Sequence, residues 1–175
     1  VVHLHRLEHG NLLPALDAAG IDRIEAGFPR VSEDDFRAVK LIVEAGVDKG
    51  LGSVLLLRAL ERNRAEGRAG EYVGIEYNPA KDVPLYVNYP RRAGRIERGD
   101  SIAVINALTT PIDLFVHDTM SVDAHMRRQL AALAPRMAAG GVTVSSWTTP
   151  ACTAHALEHG LSLLTHQEVP VRHWF

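Results

Sequence analysis

The 175-residue chain has a single cysteine, Cys152. That excludes any intrachain disulfide and any multi-cysteine zinc site, and it fits a reducing, cytoplasmic setting. A surplus of one charge is also lacking: the net charge is −2 and no run of lysines and arginines occurs. Nothing therefore points to nucleic acid held by bulk charge. No apolar run approaches the roughly 18 residues that a membrane-spanning helix takes, so no membrane role is expected. The start, "VVHLHRLEHG", lacks Met and has no basic segment leading into an apolar signal core, as expected of a processed, trimmed or composite chain.

What is present is ordinary for a soluble domain: 46% apolar and 23% charged residues, in a length that suits one domain with a sizeable core. Short runs rich in Val, Ile and Leu end in Gly, Asp or Glu and alternate with helix-length amphipathic stretches. Candidate strands are residues 40–45, 72–76, 95–99, 112–117, 141–146 and 161–169; candidate helices include 51–66, 121–137 and 150–159. This alternation predicts an α/β three-layer sandwich with a mostly parallel sheet. "MAAGG", residues 137–141, reads as a helix end running into glycines that can cap it. Residues 76–94, with three prolines and three tyrosines, read as an irregular excursion, either a flap over a site or plain loop. Ser32 and Asp35 form a helix-start signature. It leaves two readings of residues 40–45: the end of that helix, or a new buried strand, which periodicity cannot separate in so short a run.

"VEAGVDKGLGSVLLLRAL", residues 43–60, is the most informative stretch. With a strand ahead of it, Gly46, Gly50 and Gly52 form a tight turn into a helix whose first N–H groups face a ligand. A dinucleotide fingerprint would need glycine at Leu55, and a phosphate loop would need Gly-Lys-Ser/Thr at Gly52-Ser53-Val54; both fail. The acids Glu44 and Asp48 repel polyphosphate but suit an ammonium or sulfonium. Glu76, 24 residues after Gly52, ends the next strand where an acid can accept both ribose hydroxyls of a nucleoside. Asp100 with Ser101, and His117 with Asp118, end two further strands, and ligands of open α/β sheets bind at such ends.

"EAGVDKGLGSVLLLRAL", "YVGIEYNP", "IERGDS", "PIDLFVHDTMSVDAHM" and "LAPRMAAGGVTVSS" stand in the order of class I S-adenosylmethionine-dependent methyltransferases, and residues 43–175 resemble that family, most of all bacterial small-molecule O- and N-methyltransferases. The resemblance implies a Rossmann-like fold with S-adenosylmethionine as cofactor. Glu44 and Gly46 would bound the methionine pocket, Asp48, Gly50, Gly52 and Ser53 would shape the turn, Glu76 would hold the ribose, and Asp100 and Ser101 would face the adenine. His117 and Asp118 would line the transfer cleft, with His117, Asp118 or His125 as general base where the acceptor needs one. Ser145, Ser146 and Trp147 replace an acidic pair often found after the fifth strand, so no metal is expected. The chain also ends before the last antiparallel strand of such folds, which implies truncation. The expected partner is a small-molecule acceptor; whether the chain is a homo-oligomer is left open.

Two other readings are weighed beside it. One is a degenerate, non-catalytic nucleoside-binding domain. The other, a fragment or composite related to acyl-CoA condensing synthases, follows from residues 15–46, which resemble a segment of the homocitrate and isopropylmalate synthases and would make residues 40–45 helical. Residues 1–39 are expected to form a helix-strand-helix extension on a methyltransferase-like core of residues 40–175. The pairs "HRLEHG" and "HALEHG" have zinc-hydrolase spacing, but no third ligand follows, and histidine before glycine marks a helix end.

Overall fold

The computed structural model describes residues 39–89, 94–120, 122–146 and 149–159. The extension up to residue 38, the Ser32 helix start, "HRLEHG" and the strand expected at 161–169 lie outside these residues. Five strands are described: β1 (Leu41–Ala45), β2 (Glu71–Glu76), β3 (Gly94–Arg98), β4 (Ile112–His117) and β5 (Met137–Ser145). The helices between and after them are α1 (Leu51–Ala65), α2 (Pro84–Val87), α3 (Ser101–Ala107), α4 (Asp123–Leu133) and α5 (Pro150–Glu158), with a 3-10 turn at Ala134–Arg136.

The strand order is β3-β2-β1-β4-β5, and every pairing is parallel. The chain thus builds outward from β1 to β3, then crosses over to β4 on the other side of β1. A crossover between β1 and β4 is a topological switch point, where the loops leaving two strands diverge and open a crevice.

β1 is "LIVEA", and all five residues are buried. A central parallel strand is covered on both faces, so it carries a continuous apolar run in place of alternation. This removes the helical reading of residues 40–45, and with it the synthase resemblance for the part that is described. Side chains still alternate across the sheet. Leu41, Val43 and Ala45 join Val73, Ile75, Phe115, Ile105 and Met126 in one core, under α3, α4 and α5. Ile42 joins Tyr72, Leu56, Leu57, Leu60, Val83 and Tyr86 in the other, under α1 and α2. By this parity Glu44, Tyr72 and Glu76 share the α1 face, whereas His117, opposite Ala45, faces α4.

One expectation is corrected and two gaps are filled. Residues 137–140 are strand, not helix end: α4 stops at Leu133, and β5 absorbs Gly140 at φ +75 beside a register shift between Ile112 and Leu114. α3, absent from the sequence reading, starts at Ser101 because the Asp100 carboxylate accepts the Ile102 N–H at 3.2 Å. The described part of the excursion after Glu76 carries one short helix, α2, and packs on the core. Val83 and Tyr86 are core residues, Leu85 N–H donates to the Lys49 carbonyl at 3.2 Å, and Tyr89 donates to Glu61 at 2.6 Å.

At the amino ends of the strands, Asp113 accepts the N–H groups of Lys40 and Leu41 at 2.8 and 2.9 Å, tying the start of β1 to β4. No helix among the described residues is long and apolar enough to cross a membrane.

Candidate active site at the carboxyl ends of the strands

The turn after β1 is built by residues that tolerate left-handed backbone. Gly46, Asp48 and Gly50 have φ of +93, +50 and +91. A Cβ on Gly46 would land on the Asp118 carbonyl, and one on Gly50 would sit 2.9 Å from Tyr86 N. Asp118 N–H donates to the Ala45 carbonyl at 2.8 Å and Gly46 N–H to the Ile75 carbonyl at 3.0 Å. The ends of β1, β2 and β4 are therefore laced together by main chain, and the sequence-predicted residues Gly46, Asp48, Gly50, Glu76 and Asp118 are brought to one edge.

Glu76 is 8% exposed at the tip of β2. Its carboxylate accepts Asp48 N–H at 3.2 Å on Oε2 and Asn78 N–H at 3.0 Å on Oε1. Two backbone donors from two turns fix its orientation, and each carboxylate oxygen keeps further acceptor capacity. Asp48 pairs with Lys81, a residue sequence reasoning passed over; this hydrogen bond holds the Asp48 carboxyl below its ordinary range.

Glu44 and Ser53 lie deeper than the resemblance implies. Ser53 is fully buried and donates to Glu44 Oε2 at 2.8 Å, and Tyr72 donates to the same oxygen. A Cβ on Gly52 would land on Glu44 Oε1. Burial pushes Glu44 up to about 7, against the two hydroxyl hydrogen bonds that lower it. Tyr72 is raised too, by burial and then by the charge of Glu44. Tyr72 was missed in the sequence, where its one available signal was parity: it stands four residues before Glu76, on the same face.

Asp100 is exposed and caps α3, while Ser101 is 7% exposed and accepts Gln129 Nε2 at 2.7 Å. Ser101 thus points toward α4. The other end of the fully buried Gln129 amide has no hydrogen-bond partner among the described residues.

His117 departs from its expected role in the cleft. It is fully buried, with Nδ1 3.0 Å from Ser145 Oγ and Nε2 3.0 Å from Thr119 Oγ1. Burial, helped by the nearby His125, lowers it to about 4, so at neutral pH it is an uncharged ring bonded at both nitrogens. It is a poor base; Asp118 and His125 are the more accessible pair. Asp118 is exposed and accepts Ser146 Oγ at 2.7 Å, and His125 is half-buried on α4.

The histidines of "HALEHG" close α5: the rings of His155 and His159 meet tilted at 48° with centroids 4.4 Å apart, and His159 N–H donates to the His155 carbonyl at 3.1 Å. They lie on the face toward α4, in a shallow hollow with Arg127 and Leu130, away from the β1–β4 crevice.

A five-stranded parallel sheet with helices on both faces and a glycine turn at its switch point is a Rossmann-like α/β architecture. Residues 43–145, more than half of the chain, match the family described as "Methyltransferase domain", and the chain belongs to that family. No curated protein matches it. Solved structures similar to it include a protein from Thermoplasma acidophilum assigned as a methyltransferase, at 21% identity over 62% of this chain and 44% of that one, TM-score 0.47. The MycE methyltransferase of the mycinamycin biosynthetic pathway, in complex with Mg and SAH, is 22% identical over 61% and 27%, TM-score 0.44. The SAH-bound methyltransferase PaMTH1 of Podospora anserina is 17% identical over 81% and 73%, TM-score 0.47. The chain spans less than half of the length of the first two.

Proposed function

We propose that this domain transfers a methyl group from S-adenosylmethionine to an O or N atom of a small molecule. The observation that carries the reading is Glu76: a nearly buried carboxylate at the tip of β2, aimed by the N–H groups of Asp48 and Asn78. A ribose diol is the ligand group such a fixed double acceptor suits. The carboxyl groups fit the rest of the cofactor: Asp118 at the edge of the turn and the ionised form of Glu44 beneath it favour an ammonium and a sulfonium, while Asp48 is paired with Lys81.

When bound, the cofactor supplies a methyl group already activated on sulfur. The chain's own contribution is placement. Glu76 would fix the ribose, the turn from Gly46 to Gly52 would hold the amino-acid end, and the β1–β4 crevice would hold the acceptor in line with the methyl. The acceptor's lone pair forms the new bond as the carbon–sulfur bond breaks. The acceptor's proton would pass to Asp118 or His125. His117, bonded to Ser145 and Thr119, would instead pin the end of β4 to β5.

Calorimetric titration with S-adenosylhomocysteine tests this. The parent is expected to bind, and Glu76→Ala to weaken binding by about 10-fold to 100-fold, the worth of a hydrogen bond to a charged acceptor. No heat of binding in the parent overturns the reading. Binding without turnover on any acceptor would favour the non-catalytic domain.

A further inference from the structure

Tyr72 begins in the amino half of β2, yet its hydroxyl works at the other end of the sheet. The ring lies along the α1 face over two glycines: a Cβ on Gly74 would land on the hydroxyl, and one on Gly94 would sit 2.8 Å from Cδ1. The hydroxyl so delivered meets Glu44 Oε2 and lies 2.7 Å from Ser53 Oγ, which donates to that same oxygen at 2.8 Å. Glu44, Ser53 and Tyr72 are 3%, 0% and 0% exposed.

A buried carboxylate is expensive unless its charge is answered by hydrogen bonds. The groups that face it are Tyr72 from β2, Ser53 from α1 and Asp118 from the end of β4. The two hydroxyls favour the anion; Asp118 and burial oppose it. The carboxylate lies beneath the first turn of α1, against Gly52 and Ser53.

We propose that Tyr72 and Ser53 are positioning residues that keep Glu44 an oriented anion beneath the glycine turn, so that affinity for a cationic ligand there depends on a tyrosine hydroxyl buried below it. The inference rests on the methyltransferase reading for its ligand, but not for its chemistry.

The test is Tyr72→Phe, which keeps the ring over Gly74 and Gly94 and removes only the hydroxyl. S-adenosylhomocysteine, which carries an ammonium group, is titrated from about pH 5.5 to about pH 9. In the parent, affinity rises as Glu44 ionises near 7. In Tyr72→Phe the midpoint moves up by about one to two pH units, the worth of one hydrogen bond to a charged group, and Ser53→Ala moves it the same way. An unmoved midpoint overturns the proposal, because a purely structural role would lower affinity at every pH alike. The Glu44 carboxyl carbon, assigned in the NMR spectrum by its loss in Glu44→Gln, gives the same midpoint without ligand. Should the parent bind no S-adenosylhomocysteine at any pH, the cofactor reading falls alone; should the NMR midpoints of parent and Tyr72→Phe coincide, the positioning role falls alone.

Discussion

Replacing Gly52 by alanine sets two effects against each other. Gly52 stands in the first turn of α1 with no positive φ, and alanine is worth up to about 1 kcal/mol more than glycine inside a helix. On propensity alone the substitution stabilises. The added methyl, however, would occupy the place of Glu44 Oε1. Glu44 is locked on its other oxygen by Ser53 and Tyr72, so it cannot turn aside without losing a hydrogen bond to its charge, worth about 1.5–3 kcal/mol. Shifting α1 instead strains a packed core by about 1–3 kcal/mol. The net expectation is a loss of about 1–2 kcal/mol, read as a fall of about 1 M in the urea midpoint by circular dichroism. If the damage runs through the Glu44 cluster, the double variant with Tyr72→Phe will lose less than the two single losses added. A midpoint equal to or above the parent's would refute the reasoning.

His117 makes stability pH-dependent in a defined direction. Its pKa in the fold, about 4, lies below the ordinary 6.5, so the folded state resists protonation. Its contribution is complete above pH 6.5 and is lost as pH falls through about 4; His117→Gln should flatten that acid limb in urea titrations across the window, and an unchanged slope would count against it. Asp113→Ala removes the acceptor of the Lys40 and Leu41 N–H groups at the start of β1, far from the carboxyl ends of the strands. It should cost about 1–2 kcal/mol in urea unfolding while leaving S-adenosylhomocysteine affinity unchanged, the reverse of Glu76→Ala.

The sequence carries the fold where apolar runs are bounded by clear punctuation. β2, β4 and α1 fall within a residue or two of their expected limits, because "YVGIE" and "IDLFVH" end in charged or polar residues and α1 starts at the glycine turn. It fails where a local pattern has two physical meanings. "LIVEA" fits a helix end as well as a central strand, and burial against β2 and β4 decides it. "MAAGG" has small residues that neither period describes; pairing with β4 turns it into strand, with Gly140 taking up the irregularity. At the site, the placing of Glu76 and Asp118 at strand ends follows from the runs that precede them. The inward turn of Ser53, Ser101 and His117 does not, since it depends on Tyr72, Gln129 and Ser145, each at least 19 residues away in sequence.

The contact between Gly46 and the Asp118 carbonyl has a consequence for what the crevice can become. Its two lips are joined through main chain: the Asp118 carbonyl fills the space beside Gly46 while the Asp118 N–H holds the Ala45 carbonyl. The spacing between the ends of β1 and β4 is thereby set by peptide geometry and not by side-chain size. On the proposed reading, exposed residues beyond Asp118 such as Met120 and Val122 would be free to vary, retuning which acceptor enters, while that backbone spacing is kept. The crevice behaves as a gauge of fixed width with an interchangeable jaw.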